Sequence, residues 1–450
     1  MTIVQLQTGA WYQDRQIEVR FPDSWKVTTH WPRTPDPLSD QDIESRLDQP
    51  LGCPPLSEQF AGVKKLAIVV DDLSRPTPVY RVLPMLIDRI RNVDERTEIS
   101  IIVATGTHGH MNEDALRYKL GQLAWESCTI IVHDDLTSTR RIGMSSYKTP
   151  VFVNRTVLDA DLVIGIGGVY PQHTTGFGGG GKLALGVCGR KTIMDLHYKH
   201  KSMQGRYITD NDFRKDVTEI AKMIGLNSIV NLHINAYSEV VNAVFGDHTV
   251  YYDDAARFSK DFYTAPDAGD AEIIVANAYP LDTSFTFMRK GYKPLYTAPR
   301  SAVKVMIVGA HEGIGVHGLF QYINPSRLSR FRNLVLRASS MNKKELLQKV
   351  WNRIIRRFKA DEVDDAEEEP SILPPNTDHL YIWRTDDEGE KIPALDGVTV
   401  RTDWNELLEI IRAEHFSNQD CVATVVYACA PIQCIDKSLA DHESLADHDT

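Results

Sequence analysis

Four stretches of the chain place chemically capable side chains in short, constrained segments. The first, DDLSRPTP from Asp71 to Pro78, sets Asp72, a hydrogen-bond acceptor, close to Arg75, whose planar fork suits a carboxylate or phosphate. Two prolines stiffen it; read as a plain loop it carries only an Asp–Arg surface pair. The second, ATGTHGHMN, puts His108 after a glycine turn, with His110 two residues on. Histidine is the usual side chain for moving a proton near neutrality. The third runs PQHTTGFGGGGK from Pro171 to Lys182. Gly178, Gly179, Gly180 and Gly181 let the backbone approach a ligand closely and aim N–H groups at an anion, with His173 before them and Lys182 at their end. Gly176 to Lys182 satisfies GxxxxGK, but Leu183 stands where a magnesium-binding Ser or Thr belongs, so a P-loop ATPase is a poor match. The fourth, KTIMDLHYKHKS, reads as a helix with His197 and His200 three apart. That spacing permits a shared metal, or one ligand beside one exposed ring.

Rigid elements must hold these segments. Short apolar runs at Lys65–Asp71, Ile99–Thr105, Thr129–Asp134, Leu162–Gly167, Glu272–Ala278 and Val303–Gly309 read as buried parallel strands, and three of the four stretches follow such a run. Between them lie helical patterns. Thr77 is expected to cap one, with Pro78 at its first position and Val82, Leu83, Leu86, Ile87 and Ile90 on one face. Asn112 is expected to cap another, with Glu113 and Asp114 in its first turn. The alternation predicts an α/β architecture, and open α/β sheets bind ligands beyond the carboxyl ends of their strands.

With 450 residues the chain exceeds what one core usually supports. The division expected is an N-terminal α/β domain over 1–268 and a C-terminal one over 269–436, joined through the loop TAPDAGD. An acidic insertion at about 360–395 and a disordered tail at 437–450 complete it. A helix over Lys343–Phe358 carries Trp351 on its apolar side. The net charge of −11 argues against nucleic acid, no apolar stretch is long enough for a membrane span, and the start lacks signal-peptide character. Six scattered cysteines form no CxxC pair, which fits reduced thiols and a cytoplasmic protein.

Together, DDxxRPTP, ATGTH, a histidine before a glycine-rich loop ending in lysine, a TIxxxxH segment, and YPLD followed by RKG at Arg289–Gly291 resemble the nickel-pincer lactate racemase (LarA-like) family. The likeness spans residues 60 to 320, and it implies a fold of two α/β domains with the active site in the cleft between them. It implies a racemase or epimerase of a 2-hydroxy acid, working by hydride transfer to and from a nickel-pincer nucleotide covalently attached to Lys182. It further implies His197 as the nickel ligand, with His200 the alternative, and His108 and His173 as paired acid/base residues. Arg75 and Lys290 would hold the substrate carboxylate or polarise its oxygen, and Asp72 would lie against the cofactor or Arg75. Implied partners are the small-molecule substrate and proteins of cofactor biosynthesis and insertion. The sequence also departs from the family pattern. The interval from His173 to Lys182 is one residue short, LALGVCG lacks a proline, and Phe287 replaces a polar glutamine near the substrate. The aromatic predicts a substrate bulkier or less polar than lactate. Two other readings stand beside this one: a zinc hydrolase using His108, His197 and His200, and a non-catalytic nucleotide- or anion-binding protein using GGGGK as a phosphate cradle.

Overall fold

The structure, a computed structural model, describes residues 1–33, 35–109, 111–172, 174–200, 207–319 and 372–436. His110, His173, the helix expected over Lys343–Phe358 with Trp351, the acidic stretch to residue 371 and the tail 437–450 lie outside them.

Two six-stranded sheets organise the molecule. The first runs in the order Val240–Asp247, Leu226–Ile234, Leu162–Gly168, Lys65–Asp71, Glu98–Ala104, Thr129–Val132, parallel except where Val240–Asp247 pairs antiparallel with its neighbour. The second is wholly parallel, in the order Val398–Arg401, Leu380–Arg384, Val303–Val308, Ile273–Asn277, Ala423–Tyr427, Lys26–His30. Every apolar run singled out in the sequence is a strand of one of these sheets. The reason is visible in the packing. Ile68, Val70, Ile101 and Val103 face one core while Ala67, Val69 and Ile102 face another. A strand covered on both faces has no polar side to alternate with.

The N-terminal segment corrects the expected division. Lys26–His30 forms the edge of the second sheet, in register with Ala423–Tyr427. The hairpin Thr2–Thr8/Arg15–Phe21 packs Val4, Leu6, Val19 and Phe21 against Val275, Val305 and Ile307 of that sheet. Residues 1–30 therefore belong with the second unit, although most of the first unit's chain follows them. Asp282, from YPLD, fastens the hairpin. Its carboxylate accepts from Gly9 N–H (2.8 Å), Ala10 N–H (3.1 Å), Thr8 Oγ1 (3.1 Å) and Gly309 N–H (3.2 Å). The end of the acidic stretch is not wholly solvated either, since Ile372 is buried in the second core and its carbonyl accepts from Tyr292 Oη at 2.8 Å.

Of the two helix caps, Asn112 holds: its Oδ1 accepts from Ala115 N–H at 3.0 Å, opening Glu113–Leu120. Thr77 does not. A 3-10 turn over Val79–Arg81 precedes the helix Leu83–Val93, and Thr77 Oγ1 is bonded to the Asp71 carboxylate. A buried carboxylate is the stronger acceptor, so it takes the hydroxyl.

Candidate active site

The carboxyl ends of the first sheet's strands and the loops of the second unit enclose a cavity of about 400 Å³. Its wall includes Asp72, Arg75, His108, Gly178, Gly179, Lys182 and His197 from the first unit, and Phe287, Lys290 and His317 from the second.

Asp72 is 1% exposed and is not paired on a surface with Arg75. Its Oδ2 is bonded to His108 Nδ1, and its Oδ1 accepts from Ser74 Oγ at 2.6 Å and Ser74 N–H at 3.1 Å. Asp72 thus acts on the histidine, a partnership that 36 residues of separation hid. Burial opposes ionisation of Asp72, but the charge and hydrogen bond of His108, with Arg75 and Ser74, hold its carboxyl below the usual carboxylate range. Burial pushes the His108 imidazole down, against the pull of Asp72. The pair is therefore a carboxylate and a neutral imidazole whose proton sits on Nδ1, which leaves Nε2 as the base. The glycine turn works as read: Gly106 has φ 55° and donates to Gly186 O at 2.9 Å, carrying the chain from strand to His108.

Beneath this pair lies Lys119, wholly buried on Glu113–Leu120. Its ammonium donates to Asp72 O (2.9 Å) and Arg75 O (2.6 Å), pairs with Asp71 (2.9 Å), and sits 4.5 Å from the Trp11 ring centre. It fixes the backbone that presents Asp72 and Arg75. A lone lysine on an amphipathic helix reads as a solvent-facing residue, so the sequence carried no signal for it.

The glycine loop behaves differently from expectation. Its amides are largely spent within the protein: Gly178 N–H donates to Tyr170 O (2.7 Å), Gly180 N–H to Asn231 Oδ1 (3.0 Å) and Lys182 N–H to Gly179 O (3.3 Å). Arg214 draws the carbonyls outward, donating to Gly179 O at 3.0 Å and to Phe177 O. Only Gly178 and Gly179 of the four glycines line the cavity. Gly180 and Gly181 are there for packing, because a Cβ would come within 2.5 Å of the Tyr252 ring at the first and 2.9 Å of His248 at the second. The loop is a scaffold that leads into a 3-10 helix, Gly180–Val187, and so brings Lys182 to the cavity. Burial, then the charges of Arg75 and Arg214, push its amine down to about 7.

His197, read as the nickel ligand, and His200, read as its alternative, separate. His197 lies on Arg190–Lys199 and its Nδ1 donates to Ile193 O at 2.7 Å, which fixes the tautomer and leaves the Nε2 lone pair that metals take. His200 Nε2 is bonded to Asp216 at 2.8 Å, and His200 is not among the cavity's lining residues. The shared-metal reading of the two, and with it the trio of His108, His197 and His200, is not assembled.

From the second unit, Phe287 and Lys290 arrive on a short helical segment begun at Ser284. The Phe287 ring lies edge-on to His108 at 5.1 Å, and Lys290 Nζ lies 4.5 Å from the Phe287 ring centre. Burial and the nearby Arg75 push the Lys290 amine well down. Sequence reasoning missed His317 and Lys293 and took Arg289 only as part of the RKG motif, yet all three line the cavity. His317 did carry a signal, a histidine in the glycine-rich GIGVHG that follows the strand Val303–Val308. The wall carries Arg75, Lys182, Arg289, Lys290 and Lys293 against Asp71 and Asp72, which suits an anionic occupant.

Two α/β units thus meet at a basic cavity with an oriented histidine and a lysine of lowered pKa inside, the features of a candidate active site in a cleft. A family model described as the lactate racemase N-terminal domain matches residues 12–207. Lactate racemase of Thermoanaerobacterium thermosaccharolyticum is 26% identical over 404 residues, covering 86% of this chain and 89% of that protein. Lactate racemase of Lactiplantibacillus plantarum is 28% identical over 324 residues, covering 69% of this chain and 76% of that one. The solved lactate racemase apoprotein from T. thermosaccharolyticum shares the fold, with a TM-score of 0.67 at 21% identity over 97% of this chain and 100% of that one. A protein from Thermotoga maritima shares it with a TM-score of 0.57 at 16% identity, over 88% and 99%. The match to the lactate racemase N-terminal domain thus falls on the unit that carries Asp72, His108, Lys182 and His197, and the likeness to lactate racemases runs through most of the chain.

Proposed function

We propose that this chain inverts a 2-hydroxy acid, bulkier or less polar than lactate at the Phe287 side, with a nickel-pincer nucleotide joined to Lys182 through a thioamide. The observation that carries the reading is Lys182, an amine at the cavity wall held down to about 7, so that its nucleophilic neutral form is well populated at neutral pH. The donor set fits the group. His197 offers an oriented Nε2, a nitrogen donor suited to planar nickel(II), and Gly178 and Gly179 leave wall without side chains. A cavity of about 400 Å³ is in the range of small-molecule and cofactor pockets.

The C2–H of a 2-hydroxy acid is too weak an acid for a histidine to remove as a proton. When bound, the pincer group supplies a hydride acceptor for C2, so that a planar keto acid can be reduced again on either face. The protein's own work is binding and proton handling. Arg75 and Lys290 take the carboxylate, and its charge favours their cationic forms. His108 Nε2 accepts the proton of the C2 hydroxyl and returns it, held in register by Asp72. His173 is assigned the same duty for the opposite enantiomer. The reading places the enzyme in the cytoplasm, where all six cysteines are unpaired thiols, with cofactor-biosynthesis and insertion proteins as its partners.

The test is racemisation of single-enantiomer 2-hydroxy acids in D2O by protein co-expressed with a pincer-nucleotide biosynthesis system. Inversion with C2 free of solvent deuterium is the expected result. Deuterium at C2 in the inverted product would mean proton abstraction and would overturn the hydride reading.

A further inference from the structure

His317 lines the cavity beside His108 and has so far been given no role. It comes from the second unit, in the loop after Val303–Val308, and that loop is clasped to the loop carrying His108. Gly318 N–H donates to Thr107 O at 2.7 Å, and His108 and His317 form an isolated antiparallel bridge. The approach requires small residues, since a Cβ on Gly318 would lie 2.4 Å from Thr107 O and one on Gly109 would lie 2.9 Å from Val316 Cβ. The two imidazoles end with ring centres 5.0 Å apart and planes at 63°, both on the cavity wall.

Their hydrogen bonds make them unlike. His108 Nδ1 donates to Asp72, so its Nε2 is an acceptor. His317 Nδ1 instead accepts from Leu319 N–H at 3.3 Å, which puts the ring proton on Nε2 and makes that atom a donor. One acceptor and one donor on adjoining rings match the two needs of a single hydroxyl, which gives one proton and receives one hydrogen bond.

We propose that His108 and His317 together clamp the C2 hydroxyl of the substrate, His108 Nε2 accepting its proton and His317 Nε2–H donating to its oxygen. His317 is then a substrate-contacting residue of the second unit. It makes recognition of the hydroxyl depend on closure of the cleft, and it holds the oxygen while the proton moves between that oxygen and His108. The burial and surrounding cations that push the His317 ring well below its ordinary value keep it a neutral donor. The inference rests on the hydroxy-acid reading of the site.

The experiment measures the affinity of the cofactor-loaded protein for lactate and for propionate, which differ only by the hydroxyl, in wild type, His317→Ala and His317→Gln. Wild type is expected to bind lactate about tenfold more tightly, the scale of one buried hydrogen bond. His317→Ala should bind propionate as wild type does and lose most of the preference, and His317→Gln, which keeps an N–H donor, should recover part of it. Full preference in His317→Ala would overturn the clamp. Equal loss of both ligands would also overturn it, because His317 would then only shape the loop. A wild type without preference overturns the clamp, and the racemisation assay in D2O then decides separately whether the hydroxy-acid reading survives. A preference that depends on His317 in a protein that racemises nothing would keep the clamp and sink the reaction.

Discussion

At the residue scale, the chemistry turns on which nitrogen of each histidine carries a proton, and the fold sets that with one contact apiece. His108 gives Nδ1–H to Asp72, and His197 gives Nδ1–H to Ile193 O. Replacing Asp72 with Asn offers His108 an amide that can donate to Nδ1 and move the ring proton to Nε2, where it disables the base. Asp72→Asn should therefore lower kcat by about 10²- to 10⁴-fold with the fold intact. The pH dependence has a definite sign. Burial lowers the His108 value, so its basic form persists below the ordinary histidine value of about 6.5 and the acid limb of kcat/KM falls there. Asp72 pulls the value up, so Asp72→Asn should move that limb further down in pH. A limb at or above about 6.5 in wild type, or an upward move in the variant, would contradict the pairing. The residue types at Asp72, Arg75, His108, Lys182 and His197 were legible because each sits in a short, constrained motif. The Asp72–His108 pair, the role of Lys119 and the place of His317 were not, since each depends on contacts between segments far apart in the chain.

At the scale of elements, the glycine-rich loop separates two uses of one residue type. Gly179 and Gly180 have φ of 70° and 53°, conformations an L side chain adopts only with strain, and Gly180 also lies against the Tyr252 ring. Gly178 is spared both constraints: the nearest atom to its added Cβ is Gly168 O at 3.4 Å. Gly180→Ala should cost about 1–3 kcal/mol of stability in urea unfolding, whereas Gly178→Ala should cost under about 1 kcal/mol. Equal costs would mean that the loop is not held in the conformation described. Four glycines in a row read as a ligand cradle in the sequence because composition reports only freedom of approach. What approaches, a ligand or a tyrosine ring, is decided by the helix His248–Phe262, which carries Tyr252. The strands were legible for the opposite reason: burial on both faces leaves an apolar run that needs no tertiary knowledge to recognise.

At the scale of the molecule, two sheets, one wholly and one mostly parallel, present the carboxyl ends of their parallel strands to one cleft, the arrangement that lets Asp72, His108 and Lys182 meet Phe287, Lys290 and His317. The N-terminal strand was hidden because KVTTH is short and mostly polar, as an edge strand is, and its partner Ala423–Tyr427 lies at the far end of the sequence. The net charge of −11 gave no hint of a basic cavity, since a handful of inward cations is lost in a sum over 450 residues. The central claim is that this cavity carries a nickel-pincer nucleotide fixed to Lys182. Its most direct test is intact mass with metal analysis of wild type and Lys182→Ala, each co-expressed with the cofactor's biosynthesis system. The account predicts a mass adduct and about one nickel per chain in wild type and neither in the variant. An unmodified wild-type chain from cells shown to make the cofactor, or an adduct that survives in Lys182→Ala, would contradict it.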